Sequence, residues 1–286
     1  MKVLVTGGNG QLGRAFSRIS MTTVHEITAL GHEALDVTQY ESILKALDAY
    51  QPDAIVHAAA YTNVDGAESD FDGAFRLNGN GTRNVAAACL NRGLKMVYVS
   101  TDYVFDGTGS CPYREFDAVN PQTVYGRTKL YGEQLAAQIC PRLFIARTAW
   151  LYGEGGNFVK TMLKLAGERQ FLTVVNDQFG TPTYTVDLAK AILAVLPTEN
   201  YGTYHMTNQG HCSWYEFARE IFRIAGMDIE VRPVSTAEFP RPAKRPMYSV
   251  LENYMLEMTI GDPFRPWEEA LAEYLANSME MQQMGR

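Results

Sequence analysis

A chain of 286 residues, 46% apolar and 20% charged, has room for one large folded unit or for two sharing an interface. Its net charge of −7, with Lys and Arg scattered along the chain, excludes a general nucleic-acid binder. No apolar stretch reaches the roughly 18 residues that a membrane span needs, and the opening MKVLVTGG is too short an apolar run for a secretion signal.

In chain order, KVLVT (2–6) predicts a buried strand and residues 11–19 a helix opened by glycines. HEITAL (25–30) reads as a second strand, with a helix over 41–49. AIVHAAA (54–60) reads as a third, and 67–92 is mostly helical. MVYVST (96–101), a helix over 125–139 and LFIART (143–148) complete a strand–helix alternation that implies a parallel sheet covered on both faces. After about Trp150 the rhythm loosens. Residues 157–168 are amphipathic, LTVVND (172–177) reads as a strand and 186–196 as a helix. In CSWYEFAREIFRIAG (212–226), Ser213 and Glu216 form a capping box and Gly226 a stop. The proline-broken FPRPAKRP (239–246) precedes a last helix over 267–275, and SMEMQQMGR (278–286) reads as a frayed tail. Cys89, Cys111, Cys140 and Cys212 make no CxxC pair and no disulfide framework, so reduced thiols in the cytoplasm are expected.

Two stretches carry chemistry. Directly after the first strand, GGNGQLG holds Gly7, Gly10 and Gly13, with Gly8 offering a second, overlapping register. A strand-to-helix turn that lets a pyrophosphate approach backbone N–H groups needs residues without Cβ, and Gly13 lets the helix pack closely on the strand. The second strand ends at Ala29-Leu30-Gly31 with neither Asp nor Arg at its tip, so nothing chooses between a ribose 2′-hydroxyl and a 2′-phosphate. Asp36 and Val37 are candidates for the adenine side, Asp36 equally for a solvated loop carboxylate.

The fourth strand runs into STDYVFDG (100–107), which puts hydroxyls and a carboxylate where an open parallel sheet binds ligands. Thr101 there can meet a substrate carbonyl, or simply cap a turn. In VYGRTKLYGE (124–133), Tyr125 and Lys129 stand four apart on one helix face. An ammonium beside a phenol brings its pKa of about 10 down toward working pH. A surface pair would have the same spacing.

A TGxxGxxG turn, a Ser/Thr at the end of the fourth strand and YxxxK on the next helix together resemble the extended short-chain dehydrogenase/reductases. Within them, HAAAYTNVDGAE (57–68), VSTDYVFDG (99–107), VYGRTKLYGE, RTAWLYG (147–153), NFVKTM (157–162), DQFGTPTY (177–184) and KRPMYSVL (244–251) are similar to the dTDP-4-dehydrorhamnose reductase family, in order over nearly the whole chain. His57 departs from a position where many members carry Asn, and is expected to be a packed core histidine.

The resemblance implies a Rossmann-type doubly wound α/β domain over 1–150, to which the chain returns around 178–200, and a smaller lobe over 151–286 that mainly binds the nucleotide sugar. It implies reduction of the C4 keto group of dTDP-4-dehydro-L-rhamnose with NADPH or NADH. Tyr125 is then the acid, Lys129 tunes it and holds the nicotinamide ribose, Thr101 orients the carbonyl and Asp102 relays a proton. Gly7, Gly10, Gln11, Leu12, Asp36, Val37, Ala58, Ala59, Ala60 and Tyr61 join Tyr125 and Lys129 on the cofactor. Val64, Trp150, Asn157, Lys160, Gln178 and Arg245 join Thr101, Asp102 and Tyr125 on the substrate. No cluster has metal-ligand spacing, so no metal is predicted. A monomer is expected, since no apolar helix stripe stands unpartnered. An epimerase or dehydratase of the same superfamily, or a non-catalytic NADP-binding regulatory subunit, are the alternatives.

Overall fold

In the computed structural model, which describes residues 1–284, short β-rich runs assemble into one parallel sheet. Its strands are β1 (Lys2–Thr6), β2 (Glu26–Leu30), β3 (Ala54–His57), β4 (Lys95–Thr101), β5 (Leu143–Thr148) and, after β6 (Phe171–Val175) elsewhere, β7 (Gly202–His205). They lie in the order β7-β5-β4-β3-β1-β2, every pair parallel. The chain leaves β1 toward β2 on one side and returns to β3 on the other. The switch point therefore falls between β1 and β3, where doubly wound sheets bind their ligands. Register brings Thr6 opposite His57 and Thr101 opposite Thr148, so the polar strand ends share one edge of the sheet.

Helix α1 (Gln11–Ile19) buries Leu12, Ala15, Phe16 and Ile19, a single stripe at helical spacing. Helices α2 (Tyr40–Tyr50), α3 (Thr82–Arg92) and α4 (Val124–Ile139) follow. Residues 67–92 are mostly helical, as expected, but in pieces: short helices Val64–Ala67 and Phe71–Phe75 are capped by Asn63 and Asp70, and the second runs on through a π-helical segment Arg76–Gly81 into α3. Two glycines let α4 press onto its neighbours. A Cβ at Gly126 would lie 2.2 Å from the Tyr103 carbonyl, and one at Gly132 would lie 2.3 Å from the Tyr98 hydroxyl.

The second half also corrects the sequence expectation. Helix α5 (Phe158–Ala166) leads to β6, which pairs in parallel with β8 (Glu230–Val234) as a separate ribbon. Helix α6 (Thr185–Val195) packs on α1, and β7 then joins β5, so the return to the central sheet runs through residue 205. Helix α7 (Trp214–Ala225) has the expected Ser213–Glu216 capping box and a left-handed Gly226. After α8 (Tyr254–Ile260), α9 runs over Trp267–Met284, past the expected end at 275 and through most of the expected tail; residues 285–286 lie outside the described residues. One buried cluster joins Val3 and Phe16 to Phe217, Trp267 and Leu271, so both halves share a core. Among the described residues, no helix is long and apolar enough to cross a membrane.

Candidate active site

The glycine turn is built as a cradle. Gly7 has φ +72, and a Cβ there would lie 2.9 Å from the Ala59 backbone; one at Gly13 would lie 2.4 Å from the Gly7 carbonyl. Gly7, Gly10 and Gly13 thus supply the left-handed turn, the helix N-cap and the close contact. The first turn of α1 carries no acidic residue and its N-cap no side-chain hydrogen bond, so the N–H groups of Gln11 and Leu12 stay available to an anion. Leu12 itself is core, and the buried Gln11 Oε1 has no partner. These features fit a dinucleotide pyrophosphate.

The tips of β2 and β3 frame the turn. Asn9 packs over Gly31, and Arg14 Nε donates to the Asn9 carbonyl at 3.0 Å. The Asp36 carboxylate accepts from the Thr38 backbone and hydroxyl at 2.9 and 2.8 Å, while Val37 is buried against Gly81. Ala58, Ala59 and Ala60 are half-buried after β3. The backbone of Tyr61 is gripped by Asn78, which accepts from its N–H at 2.8 Å and donates to its carbonyl at 3.2 Å and to Thr128 at 3.0 Å. Asn78 escaped sequence reasoning; it sits in the π-helical segment, a rare geometry that recurs at functional sites. His57 is fully buried between Thr6 and Thr82, and burial, then the Lys129 charge, push its pKa down to about 3. It is a neutral core residue, as the sequence predicts.

At the end of β4, Thr101 donates to Asp102 Oδ1 at 2.9 Å, and Asp102 Oδ2 is buried with no partner. Burial raises Asp102 to about 6, and the nearby Ser249 and Thr101 hydroxyls bring it only partway back. Tyr125, in the first turn of α4, meets the Tyr103 ring edge-on at 5.5 Å. One turn on, Lys129 is 2% exposed and donates to the Val99 carbonyl at 2.6 Å with its ammonium 4.1 Å from the Tyr98 ring centroid. The surface-pair reading therefore fails.

The expected direction of the phenol's pKa fails too. Burial pushes Tyr125 up, the Thr101 hydrogen bond pulls partway back, and the charge of Asp102 pushes further up. Lys129 gives the phenol no offsetting pull, since its own ammonium is desolvated and turned to β4, and burial lowers it to about 7 despite Glu133. The protein's own groups thus keep Tyr125 protonated, the form an acid needs.

A buried carboxylate with an empty-handed oxygen is costly. Asp102→Asn should stabilise the fold by about 1–3 kcal/mol at pH 7 to 8, the scale of a shift of one to two pKa units. With the folded pKa raised, the native state holds the proton more tightly between pH 3.8 and about 6, so the parent loses stability as pH rises through that window. Urea denaturation at pH 7.5 and pH 3.5 checks this: the gain should vanish at the lower pH, and a loss at pH 7.5 would refute it.

Beyond β4, Arg245 reaches in from the proline-broken segment. Its Nη2 pairs with Asp65 at 2.8 Å and its Nη1 donates to the Tyr103 hydroxyl at 3.0 Å. Val64, half-buried, stands beside Asp65. A cavity of about 120 Å³ opens here, lined by Tyr103, Phe105, Gln122, Lys244, Arg245 and Met247 among others. Asp65 was not anticipated; it also accepts from the Ala243 N–H at 3.2 Å. Trp150 takes a left-handed φ of +46 after β5, a strained conformation for a bulky residue, and stacks on Trp214 with ring centroids 3.5 Å apart. One indole face is thereby spent on protein.

The remaining expected substrate residues have other work. Asn157 caps α5 by accepting from Lys160 N at 3.0 Å, and its amide donates to the Gly153 carbonyl at 2.6 Å and to Tyr274 at 3.0 Å. Lys160 is exposed and its ammonium has no partner among the described residues. The buried Gln178 donates to the Thr236 hydroxyl at 2.9 Å. None of the three has a side-chain hydrogen bond to Thr101, Tyr125 or Arg245.

Fold and site together are those of the extended short-chain dehydrogenase/reductases. The family model described as the RmlD substrate binding domain matches residues 1–280, and the chain belongs to that family. It is 44% identical over 275 residues to the spore coat polysaccharide biosynthesis protein SpsK of Bacillus subtilis, covering 96% of each chain. Two solved structures superpose closely. A dTDP-4-dehydrorhamnose reductase from Clostridium acetobutylicum has TM-score 0.95 and 49% identity, over 98% of this chain and 100% of that one. A dTDP-4-dehydrorhamnose reductase from Bacillus anthracis, in complex with NADP, has TM-score 0.94 and 42% identity, over 96% of this chain and 99% of that one.

Proposed function

We propose that this protein reduces the C4 keto group of dTDP-4-dehydro-L-rhamnose to give dTDP-L-rhamnose, using NADPH or NADH. One observation carries the reading: Thr101, Asp102, Tyr125 and Lys129 meet at the end of β4, beside a glycine cradle at the switch point. The names of close relatives support the substrate.

Gly7, Gly10 and the N–H groups of Gln11 and Leu12 hold the pyrophosphate, and Ala58, Ala59, Ala60 and Tyr61 line the path to the nicotinamide. Val37 and Asp36 flank the adenine, and Lys129 holds the nicotinamide ribose. The cofactor supplies the hydride. Tyr125, protonated at working pH, gives its proton to the C4 oxygen as negative charge develops there. When the ketone is bound, the Thr101 hydroxyl turns from Asp102 to donate its hydrogen bond to the C4 oxygen, and Asp102 relays a proton inward to restore the phenol. The part-exposed indole of Trp150, held between Trp214 and Gly180, and the side chain of Val64 border the sugar. Residues after Trp150, outside the α6–β7 return, form the lobe that holds dTDP, with Arg245 on the diphosphate and Lys160 and Gln178 at its margin. Asn157 contributes by fixing α5. We place the enzyme in the cytoplasm, in keeping with four unpaired cysteines, three of them buried, and read it as a monomer.

NADH and NADPH should serve within about tenfold of each other, or about 1.4 kcal/mol, because the β2 tip offers neither a carboxylate to repel a 2′-phosphate nor an arginine fixed on it. Steady-state kinetics with both cofactors test this; a thousandfold preference would mean that Arg14 or Glu33 reaches the ribose. Arg245→Ala should weaken dTDP binding by about 1.5–3 kcal/mol, the scale of a charged hydrogen bond, and leave NADPH binding unchanged. Separate titrations with dTDP and NADPH decide it, since equal losses would misplace the two ligands. The function itself is tested by NAD(P)H oxidation with dTDP-4-dehydro-L-rhamnose beside its UDP and GDP counterparts. Turnover should favour the dTDP sugar, and no oxidation with any of them would end the proposal.

A further inference from the structure

Behind the site lies a buried ion pair that the proposed reaction does not use. Glu133, one helical turn beyond Lys129, is bound by Arg147 of β5 through Nε at 3.0 Å and Nη2 at 2.8 Å. Its Oε1 also accepts from the Ser100 hydroxyl at 2.5 Å. Glu133, Arg147 and Ser100 are each 5% exposed or less. Ser100 is flanked by Val99, whose carbonyl takes the Lys129 ammonium, and by Thr101. Three elements are joined at one carboxylate: the helix carrying Tyr125 and Lys129, the end of β4, and the end of β5 leading to Trp150.

Resting on the reductase reading, we propose that Glu133 is a positioning residue: held by Arg147 and Ser100, it sets the end of β4 against α4 and keeps Lys129 in its ammonium form. The charges around Lys129 support this. From its own helix come Glu133 and the protonated Tyr125, and from β5 comes Arg147, whose cation offsets part of the Glu133 charge. From β4 come the Tyr98 ring and the Val99 carbonyl, and from β3 comes His57, which burial holds neutral. Among the described residues no carboxylate forms an ion pair with Lys129, and Glu133 is the charge that acts to raise it. Desolvation works against the ammonium, so a carboxylate one turn away decides whether it persists near neutral pH. A purely structural ion pair would affect melting and leave the lysine's titration in place.

The test is Glu133→Gln, which keeps an acceptor for Ser100 and removes the charge. Lysine 13Cε NMR, with Lys129 assigned through Lys129→Met, follows the ammonium in the protein alone, and fluorescence titration follows NADPH affinity against pH. Relative to the parent, the Lys129 midpoint should fall by about one pH unit. NADPH affinity should drop several-fold at pH 7.5 and return near the parental value at pH 6, and Glu133→Asp should restore both. If Glu133→Gln leaves Arg147 unpaired and does not fold, Glu133→Gln/Arg147→Gln removes both buried charges; its Lys129 midpoint should still fall, by less than in the single variant, because an opposing cation goes with the carboxylate. A midpoint that stays at the parental value in a folded variant overturns the proposal. Since the midpoint is read without substrate, a protein that shows the shift but reduces no 4-keto sugar would count against the reductase reading and leave the coupling standing.

Discussion

Tyr125→Phe should slow ketone reduction by about 10²–10⁴-fold, the usual worth of a positioned acid, with little change in substrate affinity. The substitution removes one hydroxyl and keeps the ring, so the edge-on contact with Tyr103 at 5.5 Å survives and α4 has no reason to move. No neighbour can take over the proton. Thr101 carries an aliphatic hydroxyl, far too weak an acid to release its proton, and the Asp102 carboxyl, at about 6, is mostly ionised at pH 7. The Tyr103 hydroxyl is held toward Arg245, from which it accepts at 3.0 Å, on the side of the Asp65 pair. Single-turnover measurement of NADPH oxidation isolates the chemical step. Near-parental rates would take Tyr125 out of the mechanism.

Lys129→Met should damage two properties together. Losing the ammonium from the cofactor ribose should weaken NADPH binding by about 1.5–3 kcal/mol, and turnover should fall with it by about 10²-fold or more. Methionine fills a similar volume, so the site is not emptied, although the Val99 carbonyl loses its donor. The pH dependence gives the sharper sign. With Lys129 lowered to about 7, the ammonium is present below that pH and lost above it. In the parent, kcat/KM, which reports the free enzyme, should therefore decline as pH rises through about 7, and the variant should lack that limb. A variant that changed only in melting temperature would leave Lys129 without a part in the reaction.

What could be read from the sequence was whatever local chemistry dictates. The β-rich runs, the glycine turn and the Ser213–Glu216 capping box depend on residues within a few positions of one another, and each is present. Strand β7 was not legible: Gly202–His205 is short, opens on a glycine and shows no alternation, and it becomes a strand because β5 offers an edge. The ties that shape the site span the chain and leave no mark in spacing: Arg245 to Asp65, Trp150 to Trp214, Glu133 to Arg147. Asn157 is a different case. An Asn directly before an amphipathic run is a helix-cap signal, and that signal was outweighed by its place in the NFVKTM block. Tyr125 and Lys129 share a helix face as their spacing requires, but the burial that turns the lysine to β4 and raises the phenol belongs to the tertiary structure.

The central claim, that this site delivers a hydride from the nicotinamide to the sugar's C4, is tested most directly with NADPH deuterated at both nicotinamide C4 positions. Incubated with dTDP-4-dehydro-L-rhamnose, the enzyme should consume one NADPH per sugar and leave one deuterium on the sugar's C4. Turnover of the sugar without net NADPH consumption, or a product with no deuterium at C4, would contradict the account and point to an epimerase or dehydratase that recycles its cofactor.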